Sequence, residues 1–269
     1  MANYNYDLIV FDLDGTLLNT IEDIAHSYRL ACKEFGFPEP PTLEVTNWVG
    51  QGHDAAVTEC FAWLRREILK DKRLFARFAG KDELLSLPTE QLYDTEVLPL
   101  KDEFKARHQQ LYIEVGNTHA KLFPGVEKAL HHLKATGVKL AVLTNKMKAL
   151  TPKVLAGVGL LELFDGVFSE GDLAHNKPDP EGILKHMENF GLTDRSRVLM
   201  VGDSENDIKA GLAAKVDVLG LTYGYNYGKP IDLSNPTYVS DHFSAVVALH
   251  EGVPLQGQEF AQLVEKFEK

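Results

Sequence analysis

Five short runs rich in Val, Leu, Ile and Phe recur along the chain, at 6–11, 138–143, 166–168, 197–201 and 216–221. Helical periodicity precedes or follows each of them, with polar loops between. The helical stretches fall at about 20–35, 125–136, 149–157, 180–190 and from the loop 202–204 to about 214. Unbroken apolar runs, unlike alternating ones, mark strands covered on both faces, and their alternation with helices marks a parallel sheet. The expected fold class is therefore α/β. Thr20 with Asp23 resembles a capping box for the first helix, with Asp in place of the usual Glu, and Gly36 suits its C-terminal cap.

One long segment breaks the rhythm. From about 23 to 121 no comparable run appears, apart from an ambiguous stretch at 43–49, while 54–70 and 100–115 carry apolar residues at three- and four-residue spacing. This predicts an all-helical insertion between the first and second strands. The expected division is a core from 1–20 and 121–269 and a helical domain from 21–120, with hinges near 17–19 and 119–124 and a closing helix over 256–269.

The charge balance, 28 basic against 39 acidic residues, gives −11 and argues against nucleic acid or an anionic membrane as the main partner. An anionic substrate would then need local cations to overcome the field. No apolar run approaches the roughly 20 residues of a membrane helix. Residues 1–14 contain no Lys or Arg, so a signal peptide is not expected. Cys32 and Cys60 are expected as free thiols of a cytoplasmic protein. The chain has no C-x-x-C or H-E-x-x-H pattern, and a zinc site is not expected.

In an open parallel sheet, ligands bind at the carboxyl ends of the strands. The unusual polar residues of this chain cluster at those ends: Asp12-Leu13-Asp14-Gly15-Thr16, Thr144-Asn145-Lys146, Lys177-Pro178, and Gly202-Asp203 through Asp207. Asp12 and Asp14 are two carboxylates that can divide labour, one ionised and one holding a proton. A calcium loop starting at Asp12 fails, because its sixth and twelfth positions would be Leu17 and Asp23 rather than Gly and Glu. Asp203 and Asp207 lie four apart at a helix start and, with Asp12 and Asp14, form a set of hard oxygen ligands that suits Mg²⁺. Thr144 and Lys177 are the hydrogen-bonding and cationic complement.

This ordered set resembles the motifs of the haloacid dehalogenase-like hydrolase superfamily, with Asp12–Thr16, Thr144, Lys177 and Gly202–Asp207 as its four motifs. The resemblance implies a Rossmann-like, doubly wound core with a mobile helical cap inserted after the first motif. It implies catalysis by Asp12 and Asp14, and phosphate binding by Thr144, Asn145 and Lys177. It also implies a metal shell from Asp12, Asp203, Asp207 and the main-chain carbonyl of Asp14, and a small phosphorylated metabolite as substrate. Asp14 favours the phosphatase and mutase branches, since the dehalogenases lack this second Asp. Within the superfamily the chain is similar to bacterial phosphoglycolate phosphatases at 47–52, 104–126 and 223–228. It departs from them at Asn19-Thr20, where Asp-Ser is usual, and over 65–98.

Gly50-Gln51-Gly52-His53-Asp54-Ala55 fits the G-x-G-x-x-G/A fingerprint, but a dinucleotide site needs that turn between a strand and a helix of a parallel sheet. Within a helical insertion, Gly50 and Gly52 read instead as a cap loop that lets the backbone approach substrate. Two other functions compete: a phosphosugar mutase of the same superfamily, which would return the phosphoryl group to the sugar, and, from another class, a phospho-accepting signalling module that uses an acidic pocket and a lysine without turnover.

Overall fold

The computed structural model describes residues 4–116 and 118–269. The chain divides into two compact units, one from Met1–Thr20 and Ala120–Lys269, the other from Ile21–His119.

In the first unit, six strands form one sheet. They are β1 (Leu8–Phe11), β4 (Lys139–Met147), β5 (Gly166–Glu170), β6 (Val198–Gly202), β7 (Asp217–Leu221) and β8 (Tyr238–Ser240). Their order is β5-β4-β1-β6-β7-β8, and every adjacent pair is parallel. Counted within the sheet this is the 3-2-1-4-5-6 order of the Rossmann fold, which reverses beside the first strand. All four residues of β1 are fully buried. Because successive side chains face opposite sides, both faces must be covered. On one face Leu8 and Val10 join a cluster with Ile183, Met187, Ile208 and Ala210 from helices α9 (Glu181–Asn189) and α10 (Glu205–Ala214). Phe11, pointing the other way, lies against Phe243 at 5.9 Å and Phe164 at 6.2 Å. The remaining helices of this unit are α7 (Val126–Thr136), α8 (Thr151–Gly157), α11 (Ala245–Glu251) and α12 (Gln258–Glu268).

The segments expected as hinges pair with each other. Leu18–Asn19 (β2) and Lys121–Leu122 (β3) form a two-stranded antiparallel ribbon, Leu18 opposite Leu122 and Asn19 opposite Lys121. Thr20 and Asp23, expected as a capping box, bond to more distant partners. The Thr20 amide donates to Tyr225 Oη at 2.9 Å and its hydroxyl to Asp14 Oδ1 at 2.8 Å. Asp23 instead accepts from the His119 amide at 3.0 Å and the Thr118 hydroxyl at 3.3 Å.

The second unit is helical among its described residues. Its helices are α1 (Ile21–Glu34), α2 (Thr42–Thr46), α3 (His53–Lys70), α4 (Lys72–Ala79), α5 (Thr89–Leu92) and α6 (Lys101–Val115), with one π and two 3₁₀ turns between Asp82 and Leu100. The ambiguous stretch at 43–49 falls partly within α2, and the segment without counterpart, 65–98, is a run of short helices. Cys32 and Cys60 are both buried and free, as expected.

His186 gives the core unit a pH dependence. It is 1% exposed, donates through Nε2 to the Val142 carbonyl at 3.0 Å and packs against Phe168 at 4.3 Å. Burial pulls its pKa from 6.5 down to about 4. The unfolded chain takes up this proton near pH 6.5 and the folded one only near 4. The stabilisation is therefore full above 6.5 and lost as pH falls through 4, on the order of 3 kcal/mol for this group. Urea melts at pH 7 and pH 4 should show His186→Gln losing less stability than wild type over that interval; equal losses would remove His186 as a cause.

Candidate active site

The carboxyl ends of β1, β4 and β6 carry the polar residues singled out from the sequence. Asp12 follows β1 and is 6% exposed. Asp203 and Asp207 lie after β6, at 2% and 0%. These three can each offer one carboxylate oxygen within 4.8 Å of the others. Lys177, 5% exposed, lies among them: its Nζ donates to Asp12 Oδ1 and to Asp207 Oδ1, each at 2.6 Å.

Local structure explains how such a dense acidic group is held. The second oxygen of Asp207 accepts from the amide and hydroxyl of Ser204, at 3.0 and 2.7 Å, closing a capping box on α10. The other Asp207 oxygen anchors Lys177. Asp203 accepts from Thr16 Oγ1 and from the Tyr225 amide, each at 2.7 Å. Two glycines leave room for it. A Cβ on Gly15, whose φ is +93°, would lie 2.3 Å from Asp203 Oδ2, and one on Gly224 would lie 2.2 Å from Asp203 Cβ.

The electrostatics follow from burial. Asp12 is pushed up to about 7, mainly by burial and further by Asp207, against the pull of Lys177. Burial also raises Asp203 well above the usual carboxylate range, with Asp12 and Asp207 adding repulsion. Burial alone would discharge Lys177, but Asp12 and Asp207 outweigh it and hold its pKa above the ordinary value. Three buried carboxylates against one shared ammonium leave a site short of positive charge. Hard oxygen donors so placed suit a divalent cation such as Mg²⁺, so the residues present fit the ion.

Asp14 is outside that three-carboxylate group. Its side chain accepts from Thr20 Oγ1 at 2.8 Å, and both its oxygens lie 3.1 Å from Lys146 Nζ. Thr144 is buried, and its hydroxyl accepts from the Lys146 amide at 3.1 Å. The Asn145 side chain brackets the main chain of Lys177, donating to its carbonyl at 2.9 Å and accepting from its amide at 3.0 Å.

Gly50 and Gly52 lie in the helical unit, with φ of +110° and +91°. Gly52 caps α3, and the element before them is the helix α2 rather than a strand. The fingerprint they mimic therefore lacks the strand a dinucleotide site requires.

Sequence reasoning assigned no role to Lys146, Thr16 or Tyr225. All three fall within the motifs it singled out, at 144–146, 12–16 and 223–228. A lysine closing an apolar run was the available signal for Lys146, which lies within the last residues of β4, but its burial is visible only in the fold.

A Rossmann-ordered parallel sheet with a buried acidic centre at its strand ends defines an α/β enzyme core. The chain belongs to the haloacid dehalogenase-like hydrolase family, whose model matches residues 9–221. It is similar along most of its length to the phosphoglycolate phosphatase of Haemophilus influenzae strain Rd, 36% identical over 247 residues that cover 92% of this chain and 99% of that one. The phosphoglycolate phosphatase of Aliivibrio fischeri is 35% identical over 242 residues, 90% and 95% of the two chains. Among solved structures, a predicted phosphoglycolate phosphatase from Haemophilus somnus shares the fold with a TM-score of 0.75 and 33% identity, covering 91% of this chain and 98% of that one.

Proposed function

We propose that the chain is a Mg²⁺-dependent phosphatase that hydrolyses a small phosphate monoester, 2-phosphoglycolate first among candidates, through an aspartyl phosphate. The observation that carries this reading is the meeting of Asp12, Asp203, Asp207 and Lys177 at the strand ends, with Asp14 two residues from Asp12. Likeness over nine-tenths of the chain to relatives named phosphoglycolate phosphatase supports the substrate.

Asp12 is the nucleophile: a carboxylate oxygen bonds to phosphorus as the bond to the leaving oxygen breaks. Asp14, as acid, gives its proton to that oxygen, and as base takes one from the water that then cleaves the aspartyl phosphate. Phosphate is released and the Asp12 carboxylate restored. Lys177 faces the equatorial phosphoryl oxygens together with the Thr144 hydroxyl and the main chain at Asn145. Mg²⁺, held by Asp12 and Asp203 with the Asp14 main-chain carbonyl and supported by Asp207, supplies charge neutralisation and alignment when bound. The unit Ile21–His119 acts as the cap that chooses among leaving alcohols, and the chain works in the cytoplasm without a nucleic-acid or membrane partner. Release of free phosphate from a panel of small esters tests the reading. A mutase would return the phosphoryl group to a sugar instead, and a signalling module would stop after one transfer.

Two predictions follow from the proton transfer and the cap. Asp14→Asn should slow alkyl phosphates by roughly 10²–10⁴-fold, and aryl phosphates, whose leaving groups need no proton, much less; equal losses would contradict the general-acid role. Gly52→Ala, at a φ few residues but glycine tolerate, should cut kcat/KM for 2-phosphoglycolate more than for an aryl phosphate. Equal losses would confine that glycine to folding of the cap.

A further inference from the structure

Two lysines are buried among the described residues, and the second has no part in the chemistry above. Lys177 is committed to Asp12 and Asp207. Lys146 is 5% exposed, with its Nζ 3.1 Å from both oxygens of Asp14. Burying a lysine is costly unless its charge is matched, and an Asp14 carboxylate matches it. Yet a glutamine or serine would hold Asp14 by hydrogen bonds at less cost. A full positive charge on the leaving-group side of the site points to an anion there.

Distance sets which anion. The group Asp14 protonates lies a hydrogen bond from its carboxylate, about 2.7 Å, and Lys146 Nζ is 3.1 Å from the same carboxylate. The ammonium therefore lies within roughly 6 Å of the leaving oxygen. An anionic group one carbon removed from that oxygen comes within direct ion-pair reach of the Lys146 ammonium. The chain's net charge of −11 repels such a substrate elsewhere, which gives a buried cation its value.

We propose that Lys146 is a specificity-determining residue that recognises a carboxylate on the carbon next to the phosphoester oxygen, so that the site selects 2-phospho-2-hydroxyacid-type monoesters over neutral alkyl phosphates. This rests on the phosphatase reading and on Asp14 facing the leaving group. The ammonium passes between two carboxylates, that of Asp14 and that of the substrate, and its contact with Asp14 places it before the substrate arrives. Asp14 gains a positioning partner in the same contact.

The test compares 2-phosphoglycolate with 2-hydroxyethyl phosphate, which has a hydroxymethyl group in place of the carboxylate, on wild type, Lys146→Met and Lys146→Arg. In Lys146→Met the preference for 2-phosphoglycolate should fall about 100-fold, with most of the change in its KM. Lys146→Arg should keep most of the preference. A uniform kcat loss on both esters, with the preference intact, would reduce Lys146 to a positioning residue for Asp14 and overturn the proposal. Should Lys146→Met fail to fold, Lys146→Gln supplies the same comparison. If wild type releases phosphate from neither ester nor from p-nitrophenyl phosphate, the phosphatase reading itself fails; phosphate release with an unchanged preference defeats the Lys146 assignment alone.

Discussion

Asp12→Asn is expected to reduce phosphate release by roughly 10⁴–10⁶-fold, the scale of losing a nucleophile from a concerted site. The amide keeps the size of the carboxylate and can stay beside Lys177, so the fold should survive. What it lacks is the anionic oxygen that the proposed mechanism bonds to phosphorus. The substitution also lifts the repulsion that Asp12 exerts on buried Asp203, so the variant should be at least as stable as wild type. Loss of activity with an unchanged or raised Tm would separate a chemical defect from unfolding. Activity within tenfold of wild type would remove Asp12 from the reaction.

Chelation is the second large effect. Asp12, Asp203 and Asp207 are buried within 4.8 Å of one another with one lysine between two of them, and a phosphate monoester brings up to two further negative charges. Without a divalent cation the site repels its substrate, and EDTA should take turnover below detection, with Mg²⁺ restoring it. Binding has its own readout. At Mg²⁺ about a hundredfold above Kd, linkage stabilises the folded state by about 2.7 kcal/mol, and Tm should rise roughly 5–10 °C in a chain of this size. Asp203→Asn should lose most of that rise. Full activity in metal-free protein, or an equal Tm rise in Asp203→Asn, would contradict the assignment.

The core was legible because its information is local. The strands β1, β4 and β6 carry continuous apolar runs at 8–11, 140–143 and 198–201, and each run leads into residues too polar for it. Elements that depend on distant partners were not legible. β8 has three residues at the sheet edge, and β2 and β3 have two each, which exist as strands only because they pair across about 100 residues of sequence. The stretch at 43–49 contains Val45, Thr46 and Val49, β-branched residues whose propensity opposes the helix that part of it joins. The same division runs through the site. Asp12, Asp14, Asp203 and Asp207 were legible as motifs. The Asn145 clasp on Lys177 spans 32 residues and the Lys146–Asp14 contact 132, so each becomes visible only once the strands are side by side.

The central claim is that Asp12 itself carries the phosphoryl group during turnover. Rapid acid quench of the protein during turnover of ³²P-labelled 2-phosphoglycolate with Mg²⁺, followed by peptide mapping, tests it most directly. The account predicts an acid-stable, hydroxylamine-labile label on the peptide containing Asp12, absent from Asp12→Asn and accumulating in Asp14→Asn with a good leaving group. Steady phosphate release with no trappable label, or a label on another residue, would contradict it.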